Sequence, residues 1–490
     1  MNVQSHLFVL AYLPLVLILW RVLGGRLNCQ TAARGFLLCA GVVFCGWGSP
    51  LSLLVLGAEG AVSYRLGRRI ARDRSRAPAR DRSRAALLWA GALLLLAVLA
   101  FFKYTGFVLS LTPLDGLFTP PGWLMPLGLS FVTFQQILWL RDCYDGAVGE
   151  DVSPLDYACC ITFFAAATCG PITRVGELAP QLRRPAPFSW DDLAAGLYCF
   201  ALGLGKKVMA AGVFANGANF GYAHVGDLSP MDSALTILCY TLQIYFDFSG
   251  YCDMASGMAR MMGVRLPVNF NSPYQALSVR DFWGRWHITL STFFRQCVYI
   301  PLGGNRKGTA ATCRNIMIVF LLSGLWHGAG WGFLIWGALH GLAQVAERLC
   351  KGKISLPKPL AWALTFLFVN IAWVFFRADS VEQALALLGG LFQGGWGLPT
   401  KEFAFALPLK VMGEALGFLQ NAVNPAGRAL IYWAPLALLP VGLGLLALPN
   451  PLVKAEKFRP TAWRAVLTVV CLTGAVLLFA GVDTFIYANF

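Results

Sequence analysis

The sequence predicts an all-α polytopic membrane protein, and three observations carry that prediction. Hydrophobic residues make up 57% of the 490 positions and charged residues only 13%, with a mean hydropathy of +0.61, which is more apolar side chain than a soluble protein has interior to hide. Runs at residues 7–20, 85–102 and 465–482 approach the twenty or so apolar residues that a helix needs to cross the hydrocarbon. Glycine and proline, at 51 and 26 residues, are scattered through the apolar segments, which implies broken or re-entrant helices whose freed backbone groups are met by protein or water. About 10 to 12 spans plus a few partial ones are expected.

In the first 25 residues Arg21 and Arg26 follow the apolar run instead of preceding it, so the segment is a retained first span and not a signal peptide. The net charge of +15 does not imply nucleic acid, because the charge is local. Nine arginines face two aspartates in residues 65–84, a short loop where a positive excess marks the cytoplasmic side and meets anionic headgroups. If residues 35–64 form a hairpin broken at Gly48-Ser49-Pro50, the basic segment 21–34 is cytoplasmic as well. The next span ends at Lys103-Tyr104, and Pro126-Leu127-Gly128 opens another that runs to Arg141-Asp142. Gly170-Pro171-Ile172-Thr173-Arg174 then breaks an apolar stretch ahead of the basic pair Arg183-Arg184. Lys206 and Lys207 interrupt the apolar run at 193–214, either snorkelling to headgroups or holding an anionic ligand. The 14 cysteines sit mainly in apolar runs without CxxC spacing and read as small core residues, not a disulfide frame or a metal site.

Two carboxylates, Asp247 and Asp253, interrupt the apolar segment that begins near Ala234. On an unbroken helix a spacing of six residues puts them about 120° apart, which disfavours a joint acid-base pair. Either is expected to pair with an arginine such as Arg260, Arg285 or Arg295 or to orient an imidazole, with a chemically silent buried ion pair at least equally open. Residues 265–285 interleave polar and aromatic side chains as an interfacial helix does. The turn Pro301-Leu302-Gly303-Gly304-Asn305-Arg306 reads either as a phosphate cradle or as a plain turn.

The stretch 281–341 holds three of the five histidines, His287, His327 and His340, among mostly apolar neighbours. An imidazole is costly there unless its nitrogens find partners, and an ionisable group at membrane depth is a functional-site candidate. His327 leads, because Gly324, Gly328 and Gly330 around it admit the close approach of another backbone or of a substrate. A histidine merely satisfied within the core is the alternative.

These residues resemble the membrane-bound O-acyltransferases, and within them the alginate O-acetyltransferase and polysaccharide-acetylation branch. The ordered pieces are PLGLSF, GPITR, YFDFSGYCD, FWGRWHITLSTFFR, YIPLGGNR and GLWHGAGWGFLIWGALHG, over about residues 126–377, with a fainter likeness at Phe485-Ile486-Tyr487. The resemblance implies one membrane-embedded domain over 1–490, with divergent spans at 1–125, the core at 126–377 and further spans at 378–490. It implies a ring of helices around a thinned, tunnelled centre, with His327 as the catalytic histidine and His287 as its companion. Gly284 stands where a second arginine is common, and Gln296-Cys297 replaces a common Asp-Tyr, which leaves acceptor and partner open.

The implied activity is transfer of acetyl from a cytosolic thioester to a cell-surface polysaccharide such as alginate, cellulose or another exopolysaccharide. A neutral imidazole suits the task of taking a hydroxyl proton near pH 7. His327 is the expected base, His287 positions acyl group or nucleophile, Arg285 and Asn305 contact donor or oxyanion, and Arg306 with Lys206 meets the donor's phosphates. No permanently bound cofactor and no metal is expected, the donor being acetyl-CoA or an acyl carrier thioester. The chain carries no GxSxG nucleophile, so a periplasmic or membrane-tethered esterase-like acceptor protein is the expected partner, at a bacterial inner membrane. Peptidoglycan O-acetylation, teichoic acid D-alanylation and an acyl-group transporter without transferase chemistry are the alternatives; a transporter would show two repeated halves, and none is evident.

Overall fold

A computed structural model describes residues 1–47, 49–76, 82–112, 125–148, 150–184, 187–350, 352, 355–408, 433–448 and 458–479. Gly48 of the expected break, part of the basic stretch at 77–81 and the Phe485-Ile486-Tyr487 likeness fall outside the described residues. Among the described residues the regular structure is helical throughout. In order the helices are α1 (Phe8–Arg26), α2 (Gln30–Gly46), α3 (Pro50–Arg76), α4 (Arg82–Ser110), α5 (Leu129–Asp145), α6 (Pro154–Ile161), α7 (Val175–Arg183), α8 (Trp190–Ala223) and α9 (Pro230–Met261). There follow α10 (Val279–Arg285), α11 (Ile288–Phe294), α12 (Gly308–His327), α13 (Trp331–Leu349), α14 (Lys358–Arg377), α15 (Val381–Gly390), α16 (Lys401–Ala406), α17 (Leu438–Ala447) and α18 (Ala462–Leu478).

Five of these, α1, α4, α8, α12 and α14, are long and apolar enough to cross a membrane, and α2, α17 and α18 are shorter apolar helices. Among the described residues, further apolar runs are carried on helices that are short or heavily charged, which this criterion of length and composition does not count. In α3 the arginines from Arg65 onward are the helix's own second half and not a loop. The span expected to close at Lys103-Tyr104 continues to Ser110. Residues 265–285 do not form one interfacial helix; irregular backbone leads through a 3-10 turn at Pro273–Gln275 into the short α10.

The chain forms two compact units. The first comprises Met1–Phe200, Cys252–Val268 and Lys457–Val466. Here α5, opened by Gly128 and closed by Gly146, both at positive φ, is buried along nearly its whole length. Trp139 on it donates to Ser63 O at 3.1 Å, seated over Gly67, where any Cβ would collide with the indole. Helix α6 opens with a capping box, Ser153 and Asp156 each accepting from the other's backbone N–H. Asp156 also binds Arg34 and Arg183. Burial would raise its carboxyl pKa, but the Ser153 bonds and the two guanidiniums win and hold it below the ordinary range.

The second unit comprises Ala201–Tyr251, Asn269–Glu456 and Leu467–Phe490. It contains the hairpin of α12 and α13, which pack backbone to backbone. A Cβ on Gly324 would lie 2.3 Å from Phe333 O, and one on Gly337 would lie 2.4 Å from Phe320 O. Small residues let helices meet this closely where no hydrophobic effect drives them together. The glycines beside His327 therefore serve the approach of a neighbouring helix, with Gly328 giving room to the Phe333 ring.

Candidate active site

His287 closes a turn that the chain would not adopt unaided. Its backbone is left-handed, with φ 44° and ψ 53°, a conformation that costs a non-glycine residue about 1–2 kcal/mol. Asn269, fully buried, holds it there. Ile288 N donates to Asn269 O at 3.0 Å, while Asn269 Oδ1 accepts from Thr289 N at 3.1 Å and from Thr289 Oγ1 at 2.9 Å. A backbone N–H only donates, which identifies that side-chain atom as the oxygen. His287 Nδ1, 3.2 Å from the same oxygen, is then the protonated nitrogen, and the lone pair of the neutral ring lies on Nε2. The ring packs edge-on against Phe248, with centroids 4.8 Å apart.

His327 is the last residue of α12, which Gly328 terminates by turning extended. Its ring, 2% exposed, is boxed by Trp326, Trp336 and Phe376 at centroid distances of 4.8, 5.1 and 5.1 Å. The Trp326 ring also lies 6.4 Å from that of His287, so one indole adjoins both imidazoles. His340 differs from these two. Trp283 Nε1 donates to its Nδ1 at 3.1 Å, and because indole N–H is a donor only, the basic nitrogen of His340 is occupied. That ring braces α13 against α10 and is not placed to accept a substrate proton. Glu347 makes a second brace between the same helices, taking Val279 N at 2.5 Å and Arg280 N at 3.0 Å.

Beside these helices the second unit carries an open cavity of about 1470 Å³. Arg280, Arg295, Arg306, Arg348 and Lys358 line it against a single carboxylate, Glu347, which is already committed to the α10 backbone. Arg348 Nε is buried with no hydrogen-bond partner among the described residues. Apolar residues, Leu290, Phe294, Val319 and Phe320 among them, share the lining. A space lined by several cations and by apolar side chains fits a ligand with an anionic head and a short acyl end.

Of the residues singled out from sequence, Asn305 and Arg306 line this cavity. Gly303 and Gly304 beside them adopt φ 102° and 56°, and Asn315 Nδ2 donates to Gly304 O at 2.9 Å. Arg285 is not part of the lining; its guanidinium is held by Asp281 at 2.8 Å. Lys206 is not part of it either and lies 6.0 Å from the Tyr245 ring centroid. Nor are the imidazoles on the wall. The lining reaches Leu290 and Ser291, one turn after His287, and Ser323, one turn before His327.

Helix α9 is unbroken through both aspartates. Asp247 pairs with Lys207, buried at 1% side-chain exposure, a lysine that the sequence did not single out as its partner. Arg260 binds Asp192 at 2.8 Å. Lys207 thus does not snorkel: a carboxylate within reach is a better partner than distant headgroups. Sequence reasoning missed Asn269 and the Trp283–His340 bond. The only available signal for the first was an asparagine in apolar surroundings, 18 residues ahead of a histidine.

Helices able to cross a bilayer define a multi-pass membrane protein, and two caged imidazoles with a cationic cavity nearby are its candidate site. The profile of the membrane-bound O-acyltransferase family matches residues 145–380. The chain is 38% identical over 423 residues to a peptidoglycan O-acetyltransferase of Helicobacter pylori, covering 79% of each protein. It is 36% identical over 430 residues to the "Probable alginate O-acetylase" of Pseudomonas aeruginosa, covering 85% of this chain and 80% of that one. A teichoic acid D-alanyltransferase of Bacillus subtilis matches at 25% identity over 272 residues, 51% of this chain and 68% of that one. The chain belongs to the membrane-bound O-acyltransferase family, and it is an O-acyltransferase.

Proposed function

We propose that this enzyme takes acetyl from a cytosolic thioester, acetyl-CoA or an acyl carrier thioester, and passes it across a bacterial inner membrane to a cell-surface polysaccharide, through an esterase-like partner at the far side. One observation carries the reading: the cationic cavity runs up to the turns that bear His287 and His327. Its arginines and lysine match the anionic head of a thioester donor, and the apolar side chains in its lining match the acyl end. In the reaction, the imidazole of His327 takes the acceptor's hydroxyl proton as that oxygen attacks the thioester carbonyl. The tetrahedral intermediate expels the thiolate, which recovers the proton from the imidazolium. His287, with its lone pair on Nε2, positions the hydroxyl or the acyl group. Asn305 and Arg306 are the better-placed donor contacts, and Arg285 and Lys206 recede.

Alginate-like polymers, cellulose and other exopolysaccharides are the acceptor class favoured here. Peptidoglycan is the second reading, supported by the 38% identity to a peptidoglycan O-acetyltransferase. D-alanyl transfer has the weaker support of a match at 25% over about half the chain. The test is turnover of labelled acetyl-CoA by the reconstituted protein, with His327→Ala shown to be folded by its elution profile. Loss of about 10²–10⁴ in rate is expected of a missing general base; an unaltered rate overturns the assignment. Vectorial movement of label without thioester cleavage would instead establish transport. Mass spectrometry of surface glycans from deletion and complemented cells names the acceptor.

A further inference from the structure

We propose that the first unit binds the headgroup of an anionic phospholipid at a cluster of three arginines, Arg21, Arg260 and Arg265. The cluster is built around one carboxylate. Arg260 Nε and Arg265 Nη2 converge on the same oxygen, Asp192 Oδ1, at 2.8 and 2.9 Å. Arg21 donates through Nη2 to Met261 O at 2.7 Å, and its guanidinium lies 5.3 Å from the Phe188 ring centroid. Among the described residues, three positive charges meet one negative, and the balance stays positive even with the exposed neighbour Asp191 counted. Arg265 keeps 55% of its side chain exposed, with Nη2 making its side-chain bond to Asp192 and the rest of the fork open to an incoming oxyanion.

The location selects the ligand. Arg21 lies in the closing turns of α1 and Trp190 opens α8, both helices that are long and apolar enough to cross a bilayer. The bonds just given bring those two ends together with the end of α9, so the cluster sits at one membrane face. Phe188 and Trp190, stacked edge-on at 4.8 Å, are 49% and 75% exposed. Exposed aromatic rings at the end of a span sit at headgroup level, and a positive excess there belongs to the cytoplasmic leaflet, where basic clusters between helices recognise anionic headgroups. A guanidinium fork suits a phosphate diester bidentately, while the aromatic pair lies against the upper acyl chain.

The full-length protein, titrated with phosphatidylglycerol or phosphatidylcholine and followed by native mass spectrometry, tests this directly. Phosphatidylglycerol is expected to bind more tightly, and Arg265→Gln and Arg21→Gln should each weaken it about fivefold, the ratio that about 1 kcal/mol per basic residue corresponds to. Asp192→Asn removes the charge that Arg260 and Arg265 share and should tighten binding; this variant separates a ligand site from a purely structural ion cluster, which the same change would loosen. Equal binding of the two lipids, unaltered affinity in both arginine variants, or weaker binding by Asp192→Asn overturns the proposal. Displacement of the lipid by millimolar inorganic phosphate would assign the cluster to a soluble anion instead, and overturns it too.

Discussion

Replacing Asn269 by leucine removes one atom on which the turn at His287 depends. Oδ1 serves Thr289 N, Thr289 Oγ1 and His287 Nδ1 at 3.1, 2.9 and 3.2 Å. The Thr289 hydroxyl rotates and finds another acceptor, but the backbone N–H and the imidazole N–H are fixed. Each buried donor left unmet costs about 1–3 kcal/mol, and the left-handed backbone at His287 adds about 1–2 kcal/mol once its brace is lost. The sum, about 3–8 kcal/mol, exceeds what the loop has to hold its shape, so His287 relaxes out of position. Acetyl transfer should fall by about 10²-fold or more, since each 1.36 kcal/mol of lost positioning is a factor of ten. Asn269→Asp keeps the acceptor and adds a charge that favours a protonated His287. That variant should fold, and the acidic limb of its pH–rate profile should move to higher pH. Acetyl-CoA turnover at several pH values, with thermal melts alongside, measures both. Wild-type turnover in Asn269→Leu, or an unmoved profile in a folded Asn269→Asp, refutes the reasoning.

Other perturbations follow from the same geometry. His340→Asn preserves an acceptor near the Nδ1 position and should retain most activity, whereas His340→Leu strands Trp283 Nε1 and should lose stability by about 1–3 kcal/mol, read from melting curves and turnover. Gly337→Ala places a methyl 2.4 Å from Phe320 O, a backbone atom that cannot step aside, and should cost about 1–3 kcal/mol. Gly284, with nothing within 4 Å of its missing Cβ, should accept alanine and gain up to about 1 kcal/mol of helix propensity. Lys207→Met alone leaves Asp247 buried without its cation and should cost about 3–5 kcal/mol; adding Asp247→Leu should recover much of that loss in the same denaturation assay.

Membrane residence and the all-helical class were both legible in the sequence, because apolar run length is a local property. The count of spans was less so, since α3 and α9 carry charge along helices whose length, not hydropathy, the backbone determines. The role of the glycines was half legible: close approach was readable from Gly324, but not that Phe333 O is what approaches.

Pairing was beyond any one-dimensional reading. Lys207 and Asp247 are 40 residues apart, Trp283 and His340 57, and Asn269 and His287 18, and spacing alone does not say which donor meets which acceptor. Composition and periodicity therefore determined the solvent this chain lives in and the residues worth asking about. Tertiary structure alone decided that Asn269 shapes the turn at His287, that His340 has its basic nitrogen occupied, and that Arg306 but not Lys206 faces the cavity. The physical reason is that hydropathy sums over neighbours in the chain, whereas a hydrogen bond depends on distance and direction between groups that only folding brings together.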